Sequence, residues 1–229
     1  MGMRVWLDFV NTDPLAAGGR SRRRGAPGTT RAADPLDDFG SFLDWLCVTG
    51  ALDGERASGI LRRAEQQPAG AGAVLADARR VRAAFRALAE RGGGGGAVSA
   101  AGAERARREA VAEVNRVLGR SAGARRIDVR DDGAVVRAFA PVGDAFAGLM
   151  IPVADSAADA LVLGELVRVR RCAGPRCGRV FYDATRNGRR RWCDMTTCGN
   201  RAKAARHRAR GRAQGGAGGV GEGASASSR

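Results

Sequence analysis

The stretch RCAGPRCGRVFYDATRNGRRRWCDMTTCGNRAK holds four of the five cysteines, Cys172, Cys177, Cys193 and Cys198, in a C-x4-C-x15-C-x4-C pattern. Two thiolates from each pair can meet around one ion in a tetrahedron, although the four-residue gap lies at the loose end of structural spacing. Four sulfurs complete the coordination and leave no open position for water, so the expected role is structural. In a reducing compartment clustered thiols favour a metal over disulfides. One zinc ion, Zn2+, is the first expectation because nothing nearby requires redox chemistry; an iron–sulfur cluster, a disulfide or unligated thiols remain as alternatives. Arg171, Arg176 and Arg179 would favour thiolate over thiol. Gly174, Pro175 and Gly178 suit the turns, and residues 179–183 suit a short strand leading away from the first pair.

The basic residues around these thiols form the second chemical constellation. Residues 1–167 carry 23 basic and 21 acidic side chains, whereas 168–229 carry 16 and 3, so nearly all of the net charge of +15 belongs to the C-terminal quarter. Such a charge suits a polyanionic partner. GNRAKAARHRAR predicts a helix beginning beside Cys198, with Ala202, Ala205 and Ala209 as a small apolar stripe against the metal module. Lys203, Arg206, His207 and Arg210 then point away from that stripe, and Asn200 stands at the helix start. Arginine can donate a pair of hydrogen bonds to guanine, and asparagine can pair with adenine. Arg186, Arg189, Arg190 and Arg191 suit phosphate contacts, whose signature is a steep salt dependence. Asn200 and Arg201 have a second reading, bonding to loop carbonyls around the ion or to Asp183 or Asp194. His207 reads as surface, since four cysteines suffice as ligands; Phe181 and Trp192 read as a miniature core, and Tyr182 is undecided.

The elements that must position this module are mostly helical. VWLDFV at 5–10 fits a helix face slightly better than a strand. DDFGSFLDWLCVTG at 37–50 predicts a helix with Phe39, Phe42, Leu43, Leu46 and Cys47 on its apolar side and Gly50 as its stop. Two longer helices follow: 73–92, with Val74, Leu75, Ala78, Val81, Phe85 and Leu88, and 99–119, with Ala103, Ala110, Val111, Val114, Val117 and Leu118. The glycine run at 92–96 between them is a linker, because it lacks the preceding strand and the Lys-Ser/Thr of a phosphate loop. The period then changes. RRIDVRDDGAVVRAFA at 125–140 predicts a hairpin turning at Asp132-Gly133 and packing on the helices. After Pro152 helical spacing returns over 153–170, through Val153, Ala157, Ala160, Leu161, Gly164 and Val167, and leads almost directly into Cys172, so the module should dock on the body. Arg22, Arg23 and Arg24 lie in a polar loop, and the Gly- and Ser-rich 211–229 predict a disordered tail.

The C-terminal stretch, with Cys198-Gly199-Asn200-Arg201, resembles the CGNR zinc finger. LDFVNT at 7–12 and the 37–50 segment resemble parts of the ABATE domain, which precedes this finger in a group of stress-induced transcription regulators. The resemblance implies that Cys172, Cys177, Cys193 and Cys198 ligate zinc, that the finger binds DNA, and that the helical domain senses a ligand or dimerises. Ala184-Thr185 stands where a Thr-Ser pair is common, and the Gly-rich loops look expanded; neither departure touches the ligands.

The expected architecture is therefore mostly α: a multihelical body with a short β-hairpin, a small four-cysteine zinc-binding module and a C-terminal basic helix. Its divisions are a helical ABATE-like domain at 1–167 with flexible loops near 17–35 and 92–98, a finger at 168–210 and a tail at 211–229. Double-stranded DNA is the expected partner, with RNA binding by aromatic stacking or protein adaptation around a purely structural zinc as the competing classes. A small ligand or a second copy would engage the N-terminal domain. Asp8, Asn11 and Thr12 either line a small-ligand pocket or form a helix cap or buried network, the second needing less machinery. Catalysis is not expected: one histidine and no metalloprotease, nucleophile-elbow or deaminase motif leave few groups for it. No apolar run approaches a membrane span, and no signal-peptide pattern precedes Asp8. A cytoplasmic, nucleoid-associated location follows as the expectation.

Overall fold

The computed structural model describes residues 4–14, 16, 34–91, 99–120, 122–129, 133, 135–143, 146–175 and 177–216. Arg22–Arg24, the glycine linker, Asp132 and the end of the expected tail lie outside the described residues, as does nearly all of the 17–35 loop.

Helix α1, Val5–Val10, has only six residues, too few to hold a helix by its own hydrogen bonds. Burial holds it instead: Trp6, Leu7, Phe9 and Val10 are all in the core, with Trp6 edge-on to Phe85 at 6.3 Å. Helix α2, Phe39–Val48, starts at Asp38, whose carboxylate accepts the Ser41 N–H at 2.8 Å. It buries Phe39, Phe42, Leu43 and Leu46, and Gly50 at φ +67° turns the chain out of it. Helix α3, Gly54–Gln66, is one that periodicity did not predict; it buries only Ile60 and Ala64 and is capped by Asp53.

Helix α4, Pro68–Arg91, packs along α5, Ala100–Arg120. Leu75, Ala78, Val81, Phe85 and Leu88 face Ala106, Ala110, Val114 and Val117 in the buried layer. Val111, expected on that stripe, is exposed, and Ala106 takes the inward position. Inside α4, Arg82 forms a two-pronged pair with Asp34, both contacts at 2.6 Å. Burial opposes ionisation of Asp34, but the Arg82 fork and the Leu36 N–H outweigh it and hold the carboxyl below its ordinary range.

Strands β1, Gly123–Val129, and β2, Val135–Pro141, form the predicted antiparallel hairpin, with Ile127 opposite Arg137 and Val129 opposite Val135. Its packing is looser than expected. Ile127, Val129 and Val135 are 65%, 71% and 68% exposed, and among the described hairpin side chains Phe139 is the one that packs against the core. Helix α6, Ile151–Val162, packs on α1 and α5. It ends well before the predicted residue 170: Gly164, at φ +67°, and a 3-10 turn at Glu165–Arg168 redirect the chain, leaving Val167 exposed. Strand β3, Val169–Arg171, then pairs antiparallel with β4, Val180–Tyr182. Val169 and Val180 complete the main core, so this small sheet is part of the body's surface as well as the base of the cysteine module. Helix α7, Asn200–Gly216, extends six residues past the module boundary expected at 210.

Candidate metal centre and basic interface

β3 and β4 carry the first two cysteines at the outer end of their pairing. Cys172 N–H donates to the Arg179 carbonyl at 2.9 Å, and Cys177 N–H closes a turn onto Gly174 O at 2.9 Å. A Cβ on Gly174 would stand 3.1 Å from Cys177 Cβ and 3.5 Å from Cys172 Sγ, so this glycine lets the turn approach the sulfurs. Of the second pair, Cys193 precedes a π-helical turn, Met195–Gly199, and Cys198 lies within it. Asp194 starts that turn by accepting the Thr197 N–H at 2.7 Å and the Thr196 hydroxyl at 2.7 Å. The Thr196 hydroxyl, with Thr197 in support, holds the Asp194 carboxyl down at about 2.

All four sulfurs lie within 4.8 Å of one another. Cys177 and Cys193 are 3.8 Å apart, and Cys193 and Cys198 are 3.7 Å apart. A tetrahedral ion with metal–sulfur bonds of about 2.3 Å would set sulfur–sulfur edges at about 3.8 Å. A disulfide needs about 2.05 Å, so these are free thiols on the edges of a one-ion site. A polynuclear cluster would spread its sulfurs farther apart. Cys172 and Cys198 are buried, and crowding without a cation works against ionisation: burial and then Cys172 push the Cys193 thiol far up. Burial acts the same way on Cys172, but N–H groups of Cys193 and Gly174 pull that thiol below its ordinary value. The donor set fits a divalent cation, which supplies the charge that four thiolates lack.

Beneath the sulfurs, Phe181 and half-buried Trp192 pack with the cysteines as the predicted miniature core. Arg190 is half-buried beside them. Its Nε donates to Trp192 O at 2.8 Å and its Nη2 to Cys193 O at 2.5 Å, while its backbone N–H donates to Asp183 Oδ2 at 2.8 Å. Asp183 is fully buried. Burial opposes its ionisation, but the Thr185 hydroxyl and N–H and the Arg190 N–H together hold its carboxyl below the ordinary range. Arg168 donates to the Thr185 carbonyl at 2.8 Å and Arg170 to the Val167 carbonyl at 2.8 Å and the Gly188 carbonyl at 3.4 Å. Sequence reasoning did not single out Arg168 or Arg170 and offered Asp183 only as a partner for Asn200 or Arg201, whereas Thr185 and the Arg190 N–H hold it; in a run this rich in arginine, spacing does not separate bracing side chains from solvated ones.

Arg186, Arg189 and Arg191 stand exposed on this loop, and Arg201, Lys203, Arg206, His207 and Arg210 on α7. None of these takes part in an ion pair among the described residues. Asn200 is also exposed and uses its Nδ2 on the Thr196 carbonyl at 3.1 Å, tying the helix start to the π turn. Ala202 is half-buried, but Ala205 and Ala209 are exposed. The expected docking stripe therefore ends after one turn, because α7 packs on the π turn and then runs outward as a basic rod.

The LDFVNT residues serve as a latch. Asn11 Nδ2 donates to Val180 O at 2.8 Å and its Oδ1 accepts the Val180 N–H at 3.0 Å, using the free edge of β4. Thr12 donates to Phe9 O and accepts from Arg82 at 3.0 Å. These two follow the buried-network reading. Asp8 joins no such network among the described residues: its side chain reaches solvent, and partial desolvation by the protein around it raises its carboxyl against the opposing pull of Arg179. Arg86, which nothing in the sequence distinguished, donates to Asp13 at 3.0 Å, to Val10 O at 3.3 Å and to Gly178 O at 3.1 Å. Arg4 covers the Tyr182 ring at 3.5 Å while holding Glu165 through two contacts of 2.9 Å.

The ABATE family model, described as "Putative stress-induced transcription regulator", matches residues 3–164, and the CGNR zinc finger model matches residues 168–211. The chain belongs to the ABATE family. Its CGNR finger begins in the 3-10 turn and includes all four sulfurs, the bracing arginines and most of α7. No curated protein is significantly similar to the chain. The ABATE body thus supplies the helical layer and the Asn11 latch, and the CGNR motif supplies one ligand, a glycine at which a Cβ would strike the Met195 side chain at 2.8 Å, the Asn200 tie and an exposed arginine.

Proposed function

We propose that this protein binds double-stranded DNA as a transcription regulator, with one structural Zn2+ held by Cys172, Cys177, Cys193 and Cys198 organising the contact. The ABATE body would carry a sensing or dimerisation role. The observation that carries the reading is the departure of α7 from the sulfur cluster with Arg201, Lys203, Arg206, His207 and Arg210 exposed and in no ion pair among the described residues. Its 17 residues make a rod about 25 Å long, of a width that the DNA major groove admits. At about 100° per residue, Lys203, Arg206 and Arg210 share one face, while Arg201 and Arg208 lie on the opposite one. Lys203, Arg206 and Arg210 then work with Arg186, Arg189 and Arg191 on one duplex, Asn200 standing where the helix enters.

RNA stacking gains no support from the aromatics. Arg4 covers Tyr182, and Trp192 is half-buried beside the cysteines. The test is selection from random duplex DNA and single-stranded RNA by the metal-loaded chain at two salt concentrations. A shared duplex motif is the expected result. Enrichment of RNA, or of neither pool, overturns the reading.

A further inference from the structure

A groove of about 670 Å³ opens between the α2–α3 junction and the β1–β2 hairpin, on the ABATE body and apart from the latch residues. That volume lies in the range of small-molecule sites. Leu46, Leu52, Phe139, Leu149 and Pro152 make its apolar lining, and Arg56, Arg126, Arg137, Asp53 and Asp128 are the charged groups around them, Arg137 being already paired with Asp159 at 3.0 Å.

The charges are not equally committed. Asp53 accepts the Arg56 N–H at 2.7 Å as the cap of α3, and Asp128 pairs with Arg126 along the same strand at 2.9 Å. Arg56 forms no ion pair among the described residues. Its Nη1 rests on the Phe139 carbonyl at 3.0 Å, and its Nη2 is buried with no hydrogen-bond partner. A buried donor without an acceptor is uncommon and unfavourable, the more so on a charged group. Burial, and then the nearby Arg126 charge, weaken the hold of Arg56 on its proton against the opposing pull of Asp53. Cys47 adds a neutral wall, because burial and then Asp44 and Asp53 push its thiol up.

We propose that this groove binds a small organic carboxylate with an apolar body, its carboxylate held by the Arg56 fork with Arg126 in support. Rotation of the Arg56 side chain exchanges one neutral carbonyl for a paired, charge-assisted contact that also occupies the unpartnered nitrogen. An amine would meet the guanidinium groups of Arg56, Arg126 and Arg137. Inorganic phosphate would satisfy the charge but leave the apolar lining wet.

The inference gives a ligand class to the sensing role proposed for the body, and its test uses no DNA, so its failure is distinct from failure of the DNA reading. Calorimetry on the full metal-loaded chain would compare hexanoate, hexanol and inorganic phosphate, with amide chemical shifts to locate the site. Hexanoate should bind saturably and shift the amides of residues 52–56 and 138–140. R56Q should weaken binding roughly tenfold or more, and R126Q by less. R56K keeps the charge without the planar fork and should also bind weakly, which covers the case of R56Q failing to fold. The proposal is overturned by hexanol or phosphate binding as tightly as hexanoate, by no saturable binding of hexanoate, by shifts elsewhere, or by an R56K variant that binds as well as the unaltered chain.

Discussion

Two adjacent arginines, Arg189 and Arg190, look equivalent in sequence and should behave differently when neutralised. Arg189 is exposed with no ion pair among the described residues, so on the proposed DNA-binding role R189Q would remove one phosphate contact. If six cations on one face meet DNA, the logarithm of affinity falls with the logarithm of salt at a slope of about −5, and R189Q lessens that slope by about 0.9. Arg190 instead bonds the carbonyls of Trp192 and Cys193 at 2.8 and 2.5 Å, on either side of the third sulfur's backbone. Charged hydrogen bonds contribute about 1.5–3 kcal/mol each. Because the group is half-buried and both carbonyls can regain some water, we expect R190Q to lose about 2 kcal/mol in total, discounted for that solvent access. The loss falls on the loop that presents Cys193, so apparent zinc affinity should drop about thirtyfold. Competition against a chromogenic chelator measures this directly, and DNA titrations at several salt concentrations give the slopes. Arg190 is not a positioning residue if R190Q keeps its zinc affinity and changes the slope as R189Q does.

Chelation of the metal should release the second cysteine pair from the first, abolish DNA binding and leave most of the body's helical circular dichroism, because the main core excludes the sulfurs. Retained DNA binding by metal-free reduced protein would refute this. N11A removes both bonds to Val180 and should destabilise the chain by about 1–3 kcal/mol, with faster hydrogen exchange at the Val180 amide; unchanged exchange would count against the latch. D34N should destabilise the chain at neutral pH by about 3–5 kcal/mol by leaving Arg82 without its charge partner. Since the folded Asp34 carboxyl titrates below its ordinary value, its contribution is fully present above about pH 4 and lost as pH falls through the lower folded value. The gap between wild type and D34N in denaturant melts should therefore narrow only in acid, and a gap independent of pH would refute the assignment.

The helical body was legible where burial repeats with the helix period. Phe39, Phe42, Leu43 and Leu46 on α2, and Val81, Phe85 and Leu88 on α4, point inward as their spacing requires. α3 was illegible for the converse reason: with two buried residues in 13, its place comes from the Asp53 cap and from its neighbours. The four sulfurs were fully legible, because ligation needs rare residues at short spacing. The surrounding arginines were not. Arg168 and Arg170 reach the distant carbonyls of Thr185 and Gly188, Arg190 bends back onto those of Trp192 and Cys193, and no local pattern marks a guanidinium that has an internal acceptor. The alanine stripe on α7 misled because small side chains at helical spacing are compatible with docking without requiring it.

The chain passes from body to finger through Gly164 and a four-residue 3-10 turn, a connection that in isolation would serve as a hinge. Side chains close it on both sides. Glu165, the first residue of the turn, is held by Arg4, and Arg4 in turn covers Tyr182 at the end of β4. Asn11 occupies the β4 edge at Val180, and Arg86 joins α4, the end of α1 and the Gly178 carbonyl. Swinging the finger would break several charge-assisted contacts together, each individually comparable to a sizeable fraction of a domain's stability. On the sensing role proposed for the body, the route open to a signal would be a small displacement of α1 against β4. That displacement would reach the sulfurs through Val180, because Arg179, the residue before it, accepts the N–H of Cys172.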